Sequence, residues 1–263
     1  MARSKKELTP LVEGNKSITT IDQQLADEAA LIKHAIGQPS GNKIKLLANG
    51  DFILPTGENI GNTMQVVIVD FLSKNTWYAT KYNPNDITPP DCYAIGRDIA
   101  AMAPEKDSPL LQAAKCSECP KNQFGSGDNK TSKACKNTRE VAVLVLNPDD
   151  PESINDPTTP LFTLSVPPSS LQSYDSAVGG IMRSLNGPPI KAILTVVGAN
   201  ASSNPTAPAT YAKMHFTDPV GNPHYAQHIA RRGESDVMLT RKPDFTGVKA
   251  RPAPRAAQRG ARR

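Results

Sequence analysis

No apolar run in these 263 residues approaches the roughly 18 that a membrane-spanning helix needs. The opening Met1-Ala2-Arg3-Ser4-Lys5-Lys6 leads into no apolar segment, so no secretory signal is read and a cytoplasmic protein is expected. A phosphate-binding glycine loop, a Gly-x-Ser-x-Gly elbow and a His-Glu-x-x-His helix are all missing, which removes the common routes to nucleotide, ester and zinc-dependent peptide hydrolysis. A non-catalytic protein is therefore expected. Aromatics make up only 5% of the chain and apolar residues 38%, while there are 24 prolines. Such a balance predicts one globular body with long loops and disordered ends.

Only four cysteines occur, and they fall in one stretch: Cys92, Cys116, Cys119 and Cys135. Cys116-Ser117-Glu118-Cys119 is a CxxC pair, with 23 residues between Cys92 and the pair and 15 between the pair and Cys135. A short CxxC turn puts two thiolates on one side of an ion, and two more within reach complete a tetrahedral four-thiolate site. Structural zinc is the first expectation, with all four cysteines as ligands. An iron–sulfur cluster is a lesser alternative, and disulfides or unliganded thiols another. The residues from Pro120 to Lys130 are turn-rich with little to bury, so a staple would be needed to order them.

Charge is unevenly placed. The net value is +5, but Arg241–Arg263 carries eight Lys or Arg against Asp244 alone, leaving the rest slightly acidic. The cysteine stretch is a second basic region, with Lys115, Lys121, Lys130, Lys133, Lys136 and Arg139 against Glu118 and Asp128. Two basic zones on an otherwise acidic body suit a polyanionic partner.

In chain order, apolar positions at Ile21, Leu25, Ala29, Ile32 and Ile36 predict a short amphipathic helix within an N-terminal extension, residues 1–42. A main domain is expected over 43–240, with the cysteine insertion at 92–139, followed by a disordered basic tail over 241–263. Strands are predicted at 43–47, 52–54, 64–72, 76–78, 141–146, 161–166, 190–197 and 211–217, with Ser73-Lys74-Asn75 as a turn. One helix is expected after Ser169 or Ser170, with Leu171, Tyr174, Val178, Ile181 and Leu185 as its stripe. A last short helix is expected from Asn222 to Arg232, stopped by Gly233. The fold class is mainly β with one or two helices (α+β). An OB-like barrel with a zinc-stapled loop is the specific form proposed.

The aromatics are interleaved with cations. Trp77, Tyr78, Lys81 and Tyr82 lie together next to Lys74; Phe124 lies in the basic loop; Tyr211, Lys213 and His215 share one strand face. Single strands of nucleic acid are bound by such sets, with bases stacking on rings and lysines following phosphates. The alternative use of the same rings is to fill a small core. The candidate interface is Trp77, Tyr78, Tyr82, Phe124 and Tyr211 with Lys74, Lys81, Lys121, Lys133, Lys136, Arg139 and Lys213. His224 and His228 stand four apart but lack a third ligand and read as structural.

Taken together, Val67–Tyr78 (VIVDFLSKNTWY), Pro89–Gly96 (PPDCYAIG), Cys116–Ser126 (CSECPKNQFGS), Lys133–Arg139 (KACKNTR) and Ser165–Leu171 (SVPPSSL) resemble a group of bacteriophage and prophage proteins of replication and recombination. The resemblance spans about residues 43–218. It implies single-stranded DNA binding, an OB-like fold, and Cys92 as the fourth member of the cysteine set. Its candidate partners are single-stranded DNA, phage replication and recombination proteins, and a further copy of the chain, with no membrane. Single-strand binders of this kind often end in an acidic tail, whereas this chain ends in a basic one. The competing reading is a protein-interaction or virion-associated module.

Overall fold

A computed structural model describes residues 41–80, 88–128, 130–200 and 212–245. By its contacts the chain divides into Met1–Gly41 and Asn42–Arg263, and the architecture below is that of the second unit. The predicted helix over 21–36 and most of the basic tail lie outside the described residues, as do Lys81, Tyr82 and Tyr211.

The axis of the fold is a 15-residue strand, β3 (Thr63–Trp77). Along one side it pairs with β5 (Lys136–Val145); along the other it pairs first with β7 (Ala192–Asn200) and then with β4 (Cys92–Gly96), all antiparallel. The remaining strands are β1 (Lys43–Leu46), β2 (Phe52–Ile53), β6 (Phe162–Val166) and β8 (Ala212–Gly221). The path runs β2-β1-β6-β5-β3-β7-β8, with β4 beside β3. The chain is thus mostly β with few helices, and its sheet curls into a half-barrel. No helix among the described residues is long and apolar enough to cross a membrane.

Alternation along the strands explains the core. Met64, Val66 and Ile68 of β3, Val141 and Val143 of β5, Leu164 and Val166 of β6, and Leu194 and Val196 of β7 all enter one cluster. Into that concave face packs α1 (Leu171–Ser184), through Tyr174, Val178 and Ile181, the predicted stripe. Tyr174 meets Phe71 and Phe216 edge-on, with centroids 5.8 and 5.2 Å away. A register shift between Ile68 and Asp70 swaps the inward parity of β3, so that Phe71 rather than Asp70 turns to this core. The opposite face buries Val67, Val69, Leu72, Ala142 and Leu144 with Leu239 of α3 (Arg232–Leu239) and with Ile154 and Ile190 of two 3-10 turns.

The sheet curls far enough for the β1–β2 turn to meet β7. Gly50 has φ +102°, and a Cβ on Gly198 would stand 2.0 Å from its carbonyl oxygen, so both positions need glycine. At the other end, the free edge of β8 is capped. The amides of Met214 and Phe216 donate to the hydroxyls of Ser170 and Ser173, at 2.8 and 3.0 Å. That edge therefore offers no template for another strand there. Ser169 or Ser170 was expected to cap α1; Ser170 holds the N-cap position, but its side-chain oxygen serves the sheet instead.

Two further expectations fail locally. Ser73-Lys74-Asn75 is strand and not turn, because β5 pairs with it residue for residue and Asn137 donates to the Asn75 side chain at 2.7 Å. Gly233 does not end the last helix. Two short helices, α2 (Tyr225–Ile229) and α3, follow each other, and Gly233 lies inside the second. His228 is buried between them and the body: Asn222 Nδ2 donates to its Nδ1 at 3.1 Å, and its Nε2 faces the Ile154 carbonyl at 3.2 Å. The structural reading of this histidine holds.

Candidate nucleic-acid interface

The cysteine stretch is built on the far ends of β3, β4 and β5. Strand pairing sets Trp77 directly across from Cys92 and Thr76 across from Lys136, which follows Cys135. The CxxC pair comes up beneath them in a tight turn. Cys119 donates its amide to Cys116 O at 3.4 Å, Asn122 N to Cys119 O at 3.0 Å, and Cys135 N to Lys121 O at 2.8 Å. Asn122 Nδ2 adds a bond to Cys116 O at 2.8 Å.

All four cysteines are free and buried, and all border one small cavity together with Asn75, Trp77 and Ala94. Burial, above all, pushes the Cys92 and Cys116 thiols up, with neighbouring cysteines adding to it. Cys135 is pushed up to about 12, first by burial and then by the three other cysteines. Among the described residues no group of three or more His, Cys, Asp or Glu stands in metal-holding geometry. The donor chemistry nonetheless fits a thiophilic divalent ion: four free sulfurs border one small cavity, and binding such an ion would draw them into the thiolate form.

Trp77 is 7% exposed and packs against Cys92 and Cys135, with Lys121 Nζ 5.3 Å from its ring centroid. Its expected role of stacking bases is corrected: no open ring face is left, and the tryptophan is the apolar floor of the cysteine element. Arg139 is also corrected. It is 9% exposed and faces Asp175 of α1 at 3.6 Å, so it ties the helix to the sheet and is withdrawn from solvent.

Phe124 is the opposite case, at 75% exposure. The loop carrying it is well tied. Gly125 and Gly127 amides both donate to Ser132 O, at 2.9 and 3.2 Å, and the Ser126 hydroxyl accepts from Ala134 N at 3.0 Å. Lys133 Nζ lies 4.9 Å from the Phe124 ring centroid and 3.4 Å from Asn122 Oδ1. Lys136 is exposed nearby in sequence, and Lys121 and Lys133 are half-buried. Tyr78 is 43% exposed; burial, then Asp91, raises its phenol above the ordinary value.

Lys74 is half-buried on β3, and burial lowers its pKa, with Glu140 pulling it back and Lys43 lowering it further. Lys213 lies at the other end of the sheet. It pairs with Ala199, beyond the Thr63–Val197 pair and so at the end of β3 remote from Trp77. It shares no site with the cysteine loop, although Ala212, Met214 and Phe216 do point inward as the alternation predicted. Lys43 and Lys45 are not marked as site residues by local pattern. Their alternation with Ile44 was visible, but only the β1–β6–β5–β3 order brings them to the face that holds Lys74.

No protein-family model, no curated protein and no solved structure matches this chain.

Proposed function

We propose that this protein binds single-stranded DNA without chemistry, in the manner of the phage replication and recombination proteins its motifs resemble. The observation that carries this is Phe124: a 75%-exposed aromatic ring on a hydrogen-bonded loop, flanked by Lys133. An open aromatic face beside a lysine is the arrangement on which a base of a single strand stacks. Phe124 and Tyr78 are the stacking residues in this reading, and Lys121, Lys133 and Lys136 contact phosphates. The curled sheet serves as an OB-like scaffold.

Cys92, Cys116, Cys119 and Cys135 would hold zinc. A four-thiolate ion has no open position, so it would brace the loop and take no part in a reaction. Asn75, Asn122 and the Lys121 carbonyl set the turn that holds these cysteines. The basic residues beyond Arg241 would add non-specific phosphate contacts.

The test is a titration of fluorescein-labelled dT30 and of a duplex of equal length at two salt concentrations. Tight binding of the single strand with much weaker duplex binding supports the proposal. Equal, salt-sensitive binding of both would reduce it to a basic-tail effect. Binding of neither would favour a protein-docking module.

A further inference from the structure

The four strands β1, β6, β5 and β3 carry on one face a set of side chains that no part of the cysteine loop explains. Register places Glu140 opposite Ser165 and Leu72, Lys74 opposite Thr138, and Thr76 opposite Lys136. In the parallel pair, Lys43 lies opposite Thr163, and Lys45 follows two residues on. The intervening Ile44, Leu164 and Val141 point into the core, so the polar residues share the opposite face. Further along the same face, apolar residues are covered by α3 and the two 3-10 turns. Here Lys43, Lys45 and Lys136 are exposed, and Lys74, Thr76, Thr138, Glu140, Thr163 and Ser165 are half-buried.

We infer that this lysine-bearing face is a second phosphate-binding surface, over which a single DNA strand continues after leaving the Phe124 loop. The inference rests on the single-strand reading and extends it. Four lysines stand here with Glu140, whose two oxygens lie 2.8 and 2.6 Å from the Ser165 hydroxyl, and the next carboxylate along β3 on this face, Asp70, is held by Arg97 at 2.7 Å. The charge of Lys43 reaches Lys74, so the cations act on a common space. The Ser165, Thr138 and Thr163 hydroxyls already donate to Glu140, Lys74 O and Asn42 O, so the lysines are the groups here that contact phosphate oxygens, and they do so without reading sequence. Four adjacent strands span about 14 Å, room for about two to four phosphates. Lys136 belongs to both surfaces, since it opens β5 directly after Cys135. The loop and the face are therefore continuous at that residue.

The test is the salt dependence of dT30 binding by the full chain. Each phosphate contact to a single strand contributes about 0.7 to the slope of log K against log salt. Lys43→Ala with Lys45→Ala should lower the slope by about 1.4 and Lys136→Ala by about 0.7, with melting temperatures unchanged. Arg183→Ala with Arg232→Ala, on the exposed sides of α1 and α3, removes the same charge and should leave the slope as it was. Equal falls in both double variants would show a net-charge effect and overturn the inference. So would an unchanged slope in the Lys43/Lys45 variant while Phe124→Ala weakens binding, a result that leaves the loop reading standing. A wild-type protein that does not bind dT30 would overturn both.

Discussion

Gly198→Ala should destabilise the protein at a point where the sheet is pressed against itself. The added methyl would stand 2.0 Å from Gly50 O, 2.9 Å from Gly50 C and 3.1 Å from Leu46 Cδ1. Two of these are backbone atoms of a turn whose glycine sits at φ +102°, so no rotamer change relieves them. The turn must move by about an ångström or β7 must bend, and inserting a methyl into a packed site costs about 1–3 kcal/mol. Alanine also restricts the unfolded chain, which returns about 0.4–1 kcal/mol. Taking the middle of each range, the net loss is about 1.3 kcal/mol, or a fall of about 3–5 °C in melting temperature for a chain of this size. Gly180→Ala is the control. It lies in α1, nothing approaches its Cβ within 4 Å, and alanine there should stabilise by about 0.5–1 kcal/mol. Urea denaturation of both variants measures the two signs. Wild-type stability for Gly198→Ala would mean that the β1–β2 turn does not pack on β7, and the curled closure of the sheet would be wrong.

Phe124→Ala should weaken dT30 binding by about 1–3 kcal/mol, the worth of one stacked base, and leave stability unchanged because the ring is exposed; intact affinity removes it from the interface. Cys116→Ser with Cys119→Ser should abolish zinc retention and lower the melting temperature. Because Trp77 packs on the cysteine cluster and is the one tryptophan, its emission should also shift to the red, and unchanged zinc content and emission would remove the metal from the account. Burial holds the His228 pKa below its ordinary value, so the native chain stays neutral there while the unfolded chain takes a proton. Stability is then full above about pH 6.5 and falls below it until the native pKa is passed, by at most about 1.4 kcal/mol per pH unit. His228→Gln should flatten that part of the stability curve, and an unaltered pH profile would remove His228 as its source.

Local pattern carried much of the architecture. The continuous β-branched run of β3, the alternation of β6 and of Ala212–Phe216, and the stripe of α1 are set by side-chain periodicity, which burial on one face enforces whatever the neighbours are. The CxxC spacing likewise marked the four cysteines as one group, and they do border one cavity. The polar triplet Ser73–Asn75 misled because turn propensity is weak beside a full ladder of partners on β5. Gly233 misled for a similar reason: α3 is held by Leu239 against the sheet, and one internal glycine costs less than that packing contributes.

The roles of single aromatics and cations were decided elsewhere. Trp77, Phe124 and Arg139 sit in equally basic surroundings in the chain, yet one is floor, one is exposed and one is an internal tie. Exposure depends on what arrives from distant segments: Cys92 and Lys121 over Trp77, Asp175 beside Arg139, and, among the described residues, nothing comparable over Phe124. The gathering of Lys43, Lys45, Lys74 and Lys136 depends on strand order, which no local period encodes. Periodicity specifies which side of an element is apolar; only the tertiary arrangement specifies which polar sides come together and which remain in water.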